Sequence, residues 1–66
     1  MATTGMLVTF NASGGQKKVF VSGAKTTAKA HRAVKSDPSL KFQSLIGIEP
    51  MSSTEAQKVT NVWLFV

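Results

Sequence analysis

Hydrophobic and polar residues alternate along the first third of the chain. Large apolar side chains recur at every second position in residues 6–12 and again in residues 17–22. A period of two combined with β-branched residues predicts β-strands. The intervening residues 13–16 read Ser-Gly-Gly-Gln, and paired glycines favour a tight turn. The two strands are therefore predicted to form a hairpin.

The periodicity changes after Gly23-Ala24, and residues 25–36 fit a helix. On a helical wheel, Thr27, Ala30 and Val34 fall close together on an uncharged side, which predicts that this side packs on the sheet. The opposite side carries the basic residues Lys25, Lys29 and Arg32, with Lys35 beside them. Asp37-Pro38 is expected to end the helix, because proline disfavours helical geometry at the residue before it.

The last third of the chain contains two more apolar segments. Residues 41–49 alternate and predict a third strand that ends at Pro50. A Ser-x-x-Glu sequence beginning at Ser52 has the form of a capping box, which indicates one helical turn over residues 53–58. Residues 59–66 predict a final strand with apolar side chains on both faces. Such a strand is either covered on both faces or forms half of an interface.

These elements predict one α+β domain over residues 1–66, with residues 1–5 as a polar N-terminal arm. The expected architecture has ββαββ order, with one helix packed on one face of a mostly antiparallel four-stranded sheet. One helix cannot cover both faces of such a sheet, so the second face is expected to remain apolar and open. The candidate interface residues are Phe20, Leu45, Val62, Trp63, Leu64, Phe65 and Val66.

The composition argues against catalytic chemistry. The 66 residues include no cysteine, one histidine and three acidic residues, so disulfides and thiolate metal sites are excluded. His31 has no partner at metal-ligand spacing, and we interpret it as a boundary residue of the helix. We expect no enzyme activity, no metal, no cofactor and no small-molecule substrate.

The charge adds a second hypothesis. A net charge of +5 favours anionic partners, although only 17% of the residues are charged, against about 25% in an average domain. The candidate polyanion-binding residues are Lys17, Lys18, Lys25, Lys29, Arg32 and Lys35. The basic side of the helix is either the solvated face of an amphipathic helix or a surface that binds phosphates whatever the base sequence. Phe20 is the aromatic residue best placed to stack on a base, and the alternative is that it fills the core.

Two functional hypotheses follow. The first is a small interaction or assembly protein that buries an apolar sheet face or its last strand against itself or a larger protein, as a virion component or an accessory protein. The alternative is a basic nucleic-acid-binding module. No leader or membrane-spanning stretch is recognisable, so we expect no membrane partner and a location in the cytoplasm or in a particle assembled there.

Overall fold

The computed structural model describes residues 5–66 and contains a four-stranded sheet with two α-helices. In chain order, the elements are β1 (Gly5–Ala12), β2 (Gly15–Ser22), α1 (Thr27–Ser36), a 3-10 helix (Pro38–Leu40), β3 (Phe42–Met51), α2 (Ser53–Val59) and β4 (Trp63–Phe65). The predicted small α+β domain with a four-stranded sheet is confirmed.

The sheet is mixed, and the predicted mostly antiparallel sheet of ββαββ order is wrong. The strand order is β3-β1-β2-β4, in which β1 runs antiparallel to β2 and β3 while β4 runs parallel to β2. The reason lies in α2, which carries the chain from one edge of the sheet to the other. A strand that follows such a helical crossover enters in the direction of the strand before it.

Helix α1 covers one face of the sheet. Ala30 and Val34 are fully buried there, which confirms their predicted orientation, whereas Thr27 is exposed. The helix begins later than the sequence indicated because Thr26 is its N-cap, with the Thr26 hydroxyl accepting from the Lys29 N–H at 3.2 Å. The core under α1 contains apolar residues from the first two strands and from the segments around the helices: Met6, Val8, Phe10, Ala12, Val19, Val21, Ala24, Ala30, Val34 and Leu40.

Helix α2 covers part of the second face, which corrects the expectation that this face is open. Ala56 is fully buried against Leu7 and Phe20, and Trp63 packs against the same cluster. The Ser52 hydroxyl caps the helix by accepting from the Glu55 N–H at 3.3 Å. The Ser-x-x-Glu sequence therefore starts a seven-residue helix rather than a single turn, and this helix covers part of the second face.

Strand β3 departs from regular alternation. It continues through Pro50 because it is an edge strand, where proline is tolerated. Its register with β1 shifts twice, and the first shift leaves Ile46 without a partner and sets Leu45 opposite Phe10. Directly opposed residues share a face. Leu45 therefore falls on the α1 side by register, not on the second face as expected.

The structure changes the predicted element bounds near both ends of the chain. The predicted strand 59–66 shortens to Trp63–Phe65, because α2 extends through Val59. Of the predicted polar arm, residues 1–4 lie outside the described residues, and Gly5 already pairs with Ser22 as the first residue of β1.

Candidate interaction surface at the open edge of β4

Strand β4 forms one edge of the sheet and turns alternate backbone groups outward. The Phe20 N–H donates to the Val62 carbonyl at 3.0 Å, and the Val66 N–H donates to a β2 carbonyl at 3.0 Å. Backbone groups of successive strand residues point to opposite sides of the strand. The N–H and C=O groups of Trp63 and Phe65 are therefore directed away from β2, towards the open edge of the sheet.

Thr60 fixes the position at which β4 begins. Its N–H donates to the Ala56 carbonyl at 3.0 Å and ends α2. Its hydroxyl donates to the Lys18 carbonyl at 2.7 Å and accepts from the Val62 N–H at 3.2 Å. One residue thus links the end of α2 through its backbone N–H to the edge of β2 and the start of β4 through its hydroxyl.

Two side chains of β4 anchor the strand, while the third and the adjacent Val66 reach solvent. Trp63 packs on Phe20 with ring centroids 4.8 Å apart, while Leu64 packs against the core under α1. Phe65 is 78% exposed although its ring lies 6.2 Å from that of Trp63, and the adjacent Val66 is 62% exposed. The exposed part of this edge is therefore strongly apolar.

The two edges of the sheet differ in their protection against pairing with another strand. Proteins commonly protect an edge strand with proline, charged residues or bulges. Strand β3 carries Pro50, Glu49 and two register shifts. Strand β4, with the sequence Trp-Leu-Phe, has only its shortness, since it contains neither a charge nor a proline. The β4 edge is thus the more accessible template for an added strand.

A shallow groove of about 390 Å³ runs between the end of α1 and β4. Ala33 lines it on the helix side, and Leu64 and Phe65 line it on the strand side. Asp37 also lines it, with its carboxylate accepting from the N–H and the hydroxyl of Ser39 at 3.0 and 2.7 Å. The small Ala33 side chain leaves room beside β4 for the side chains of an incoming strand.

The predicted basic residues are exposed and fall into groups around the sheet edge. Lys17 and Lys18 line a groove of about 720 Å³ together with Val62, at the start of β4. At the other end of the strand, Lys29 and Arg32 share a groove of about 370 Å³ with Val66. The remaining two candidates, Lys25 and Lys35, are exposed but line neither groove.

The predicted interface residues do not form one surface. Phe20 is fully buried, so it belongs to the core rather than to any exposed platform. Leu45 is 41% exposed at the opposite edge of the sheet. The structure instead brings together Val62, Phe65 and Val66 as exposed residues along β4 and its flanks, with Trp63 and Leu64 half-buried beneath them.

Sequence reasoning missed two contributors to this surface. The groove beside β4 depends on Ala33, which the sequence placed only at the margin of the buried helix side. The position of β4 depends on Thr60, whose neighbours in the chain lack any signal of a contact with β2. A spacing rule could have found Ala33, since it lies three residues after Ala30 on the same helix.

Comparison with protein-family models, curated proteins and solved structures finds no match to this chain. Within residues 5–66, no helix is long and apolar enough to cross a membrane. The same part of the chain contains no group of three or more His, Cys, Asp or Glu residues placed to hold a metal ion.

Proposed function

We propose that the protein is a non-enzymatic interaction module that binds a strand of another protein chain along the open edge of β4. The observation that carries this proposal is the unprotected edge of β4, where the N–H and C=O groups of Phe65 point outward beside a ring that is 78% exposed. Strand addition to a sheet edge is a common mode of peptide recognition, in which main-chain hydrogen bonds supply affinity and side-chain pockets supply specificity.

Two features of the edge support strand addition. The backbone groups of Trp63 and Phe65 point outward and can pair with an incoming strand. The groove between α1 and β4 offers a place for side chains of that strand next to Ala33. Since β4 is only three residues long, the main-chain pairing is short, and we expect modest affinity.

A non-enzymatic role fits the placement of the acidic residues. Asp37 lies at the end of α1, Glu49 on β3 and Glu55 on α2, so the carboxylates belong to separate elements. The alternative, a nucleic-acid-binding module, loses its stacking candidate because Phe20 is buried. Its basic residues remain exposed, and the nucleic-acid arm of the experiment below tests them.

A proline at position 65 is the sharpest test of strand addition. The Phe65 N–H points away from β2, so Phe65→Pro removes an outward donor without removing a hydrogen bond within the sheet. The matched control is Phe65→Val, which loses the ring but keeps the N–H. Circular dichroism and the fluorescence of Trp63, the single tryptophan, verify that both variants fold.

The measurement is a selection of random peptides on phage against the wild-type protein, followed by affinity measurements on each variant. We expect selected peptides with alternating β-branched residues that bind the wild type, retain binding to Phe65→Val and lose it with Phe65→Pro. A selection that yields no peptide sensitive to Phe65→Pro contradicts the proposal.

A further inference from the structure

Building on the proposed pairing at β4, we infer that the partner strand is acidic: a segment of another protein with apolar residues in its centre and Asp or Glu at both ends. The inference rests on the charges at the two ends of the edge. Lys17 and Lys18 share a groove with Val62 before β4, and Lys29 and Arg32 share a groove with Val66 after it.

The acidic residues offset these cations only in part. Glu49 lies on β3, at the opposite edge of the sheet, and shares a groove with Lys18, while Glu55 lies on α2. Among residues 5–66, Asp37 lines a groove beside β4 and keeps its negative charge while it accepts two hydrogen bonds from Ser39, so each end of the edge has two cations and one nearby carboxylate. An incoming strand therefore meets an apolar centre with a surplus of positive charge at each end.

The same charges argue against a second copy of this chain as the partner. If two β4 edges pair antiparallel, Lys17 and Lys18 of one copy approach Lys29 and Arg32 of the other. If they pair parallel, each basic pair approaches its own counterpart. Both arrangements set like charges against each other in a protein with a net charge of +5, and like-charge juxtaposition disfavours association. An acidic segment gains attraction at the same two places.

Nucleic acid is a weaker fit to this arrangement. Proteins that bind single-stranded nucleic acid use a positively charged groove that tracks its backbone. Here the two basic pairs are separated by the apolar residues Leu64 and Phe65, of which the second is 78% exposed. A peptide with an apolar centre and acidic ends matches this edge, which is apolar in the middle and basic at both ends.

The experiment compares three labelled peptides by fluorescence anisotropy. All have a central Val-Thr-Val-Thr segment, flanked at each end by two Glu, two Gln or two Lys residues. We expect the Glu-flanked peptide to bind most tightly, and we expect its advantage over the Gln-flanked peptide to shrink as salt is raised from low to physiological concentration. Phe65→Pro should abolish the binding of the Glu-flanked peptide.

Charge variants locate the interaction. The double variants Lys17→Gln/Lys18→Gln and Lys29→Gln/Arg32→Gln should each weaken the Glu-flanked peptide by about two- to thirtyfold, the range expected for the loss of two exposed ion pairs. The charge-matched control is Lys25→Gln/Lys35→Gln, which removes two charges that line neither groove and should leave the affinity unchanged.

Four outcomes overturn the inference, and the first two of them leave strand addition standing. One is equal, Phe65→Pro-sensitive binding of the Glu-flanked and Gln-flanked peptides. Another is concentration-dependent dimerisation in light scattering that Phe65→Pro abolishes, which assigns the edge to a second copy. A third is tighter binding of a labelled oligothymidylate than of the Glu-flanked peptide, with loss in the same two charge variants. Equal weakening by the control variant also contradicts it, because the effect is then one of net charge.

Discussion

The indole ring of Trp63 meets the ring of Phe20 edge to face, with centroids 4.8 Å apart and planes inclined at 66°. This contact joins the short edge strand β4 to the fully buried centre of β2, beneath Ala56 of α2. Edge-to-face pairs contribute about 0.5–1.5 kcal/mol beyond the area that they bury. The pair therefore holds β4 in place from the face of the sheet that α2 covers.

A double-mutant cycle measures that coupling. We expect Phe20→Leu and Trp63→Leu each to lower the free energy of unfolding, and we expect the double variant to cost about 0.5–1.5 kcal/mol less than the sum. The measurement is urea unfolding followed by circular dichroism. Fluorescence cannot be used, because Trp63 is the single tryptophan and is replaced in two of the variants. Strictly additive losses would show that the rings do not interact.

Ala30→Leu tests the contact of α1 with the sheet. Ala30 is fully buried, so the larger side chain should overpack the core and lower stability by about 1–3 kcal/mol. The control Ala28→Leu places the same side chain at an exposed position of the same helix and should change stability little. Thermal melts compare the two; equal melting temperatures would mean that the helix is rotated.

Gly5 in β1 and Gly47 in β3 provide a test substitution and its control. A Cβ added at Gly5 would meet the Val21 carbonyl oxygen and lie 2.8 Å from the Phe20 ring, so Gly5→Ala should destabilise the protein by about 1–3 kcal/mol. A Cβ added at Gly47 meets nothing within 4 Å. Gly47→Ala should therefore be neutral or stabilise β3 by about 0.5–1 kcal/mol. Chemical denaturation checks both, and a harmless Gly5→Ala would contradict the close approach of β1 to β2.

Ser52→Ala tests the cap of α2. Losing the hydroxyl that accepts from the Glu55 N–H should cost about 0.5–2 kcal/mol, because that N–H then lacks a partner in the helix. The control Thr54→Ala changes an exposed residue within the same turn and should cost less. Hydrogen exchange of the α2 amides adds a local readout: Ser52→Ala should speed their exchange selectively, and uniform acceleration across the chain would argue against a capping role.

The elements that depend on local sequence were predictable, and those that depend on distant pairing were not. The helical period predicts the burial of Ala30 and Val34. The spacing of Ser52 and Glu55 predicts the start of α2. The position of Leu45 was not predictable, because a register shift in β3 depends on how the strand meets β1. The same holds for the direction of β4, which runs parallel to β2 because α2 carries the chain across the sheet.

The candidate surface was predictable only in outline. The apolar character of residues 62–66 indicated an interface, and Phe65 and Val66 are indeed exposed. The sequence could not show that α2 buries Phe20. A helix of seven residues is too short for the spacing of its apolar residues to reveal which side is buried. It also could not show that cations distant in sequence, Lys17 and Arg32, lie near opposite ends of the same strand.

The parallel pairing of β4 with β2 also has a kinetic consequence. The Thr60–Lys18 hydrogen bond closes a loop between residues 42 positions apart, whereas the β1–β2 hairpin closes through a tight turn. Long loops close later than short ones during folding, so β4 should dock last. Until then the free edge of β2 accepts the same segment from a neighbouring chain. Refolding at high protein concentration should thus yield strand-exchanged dimers, which rapid dilution before refolding avoids.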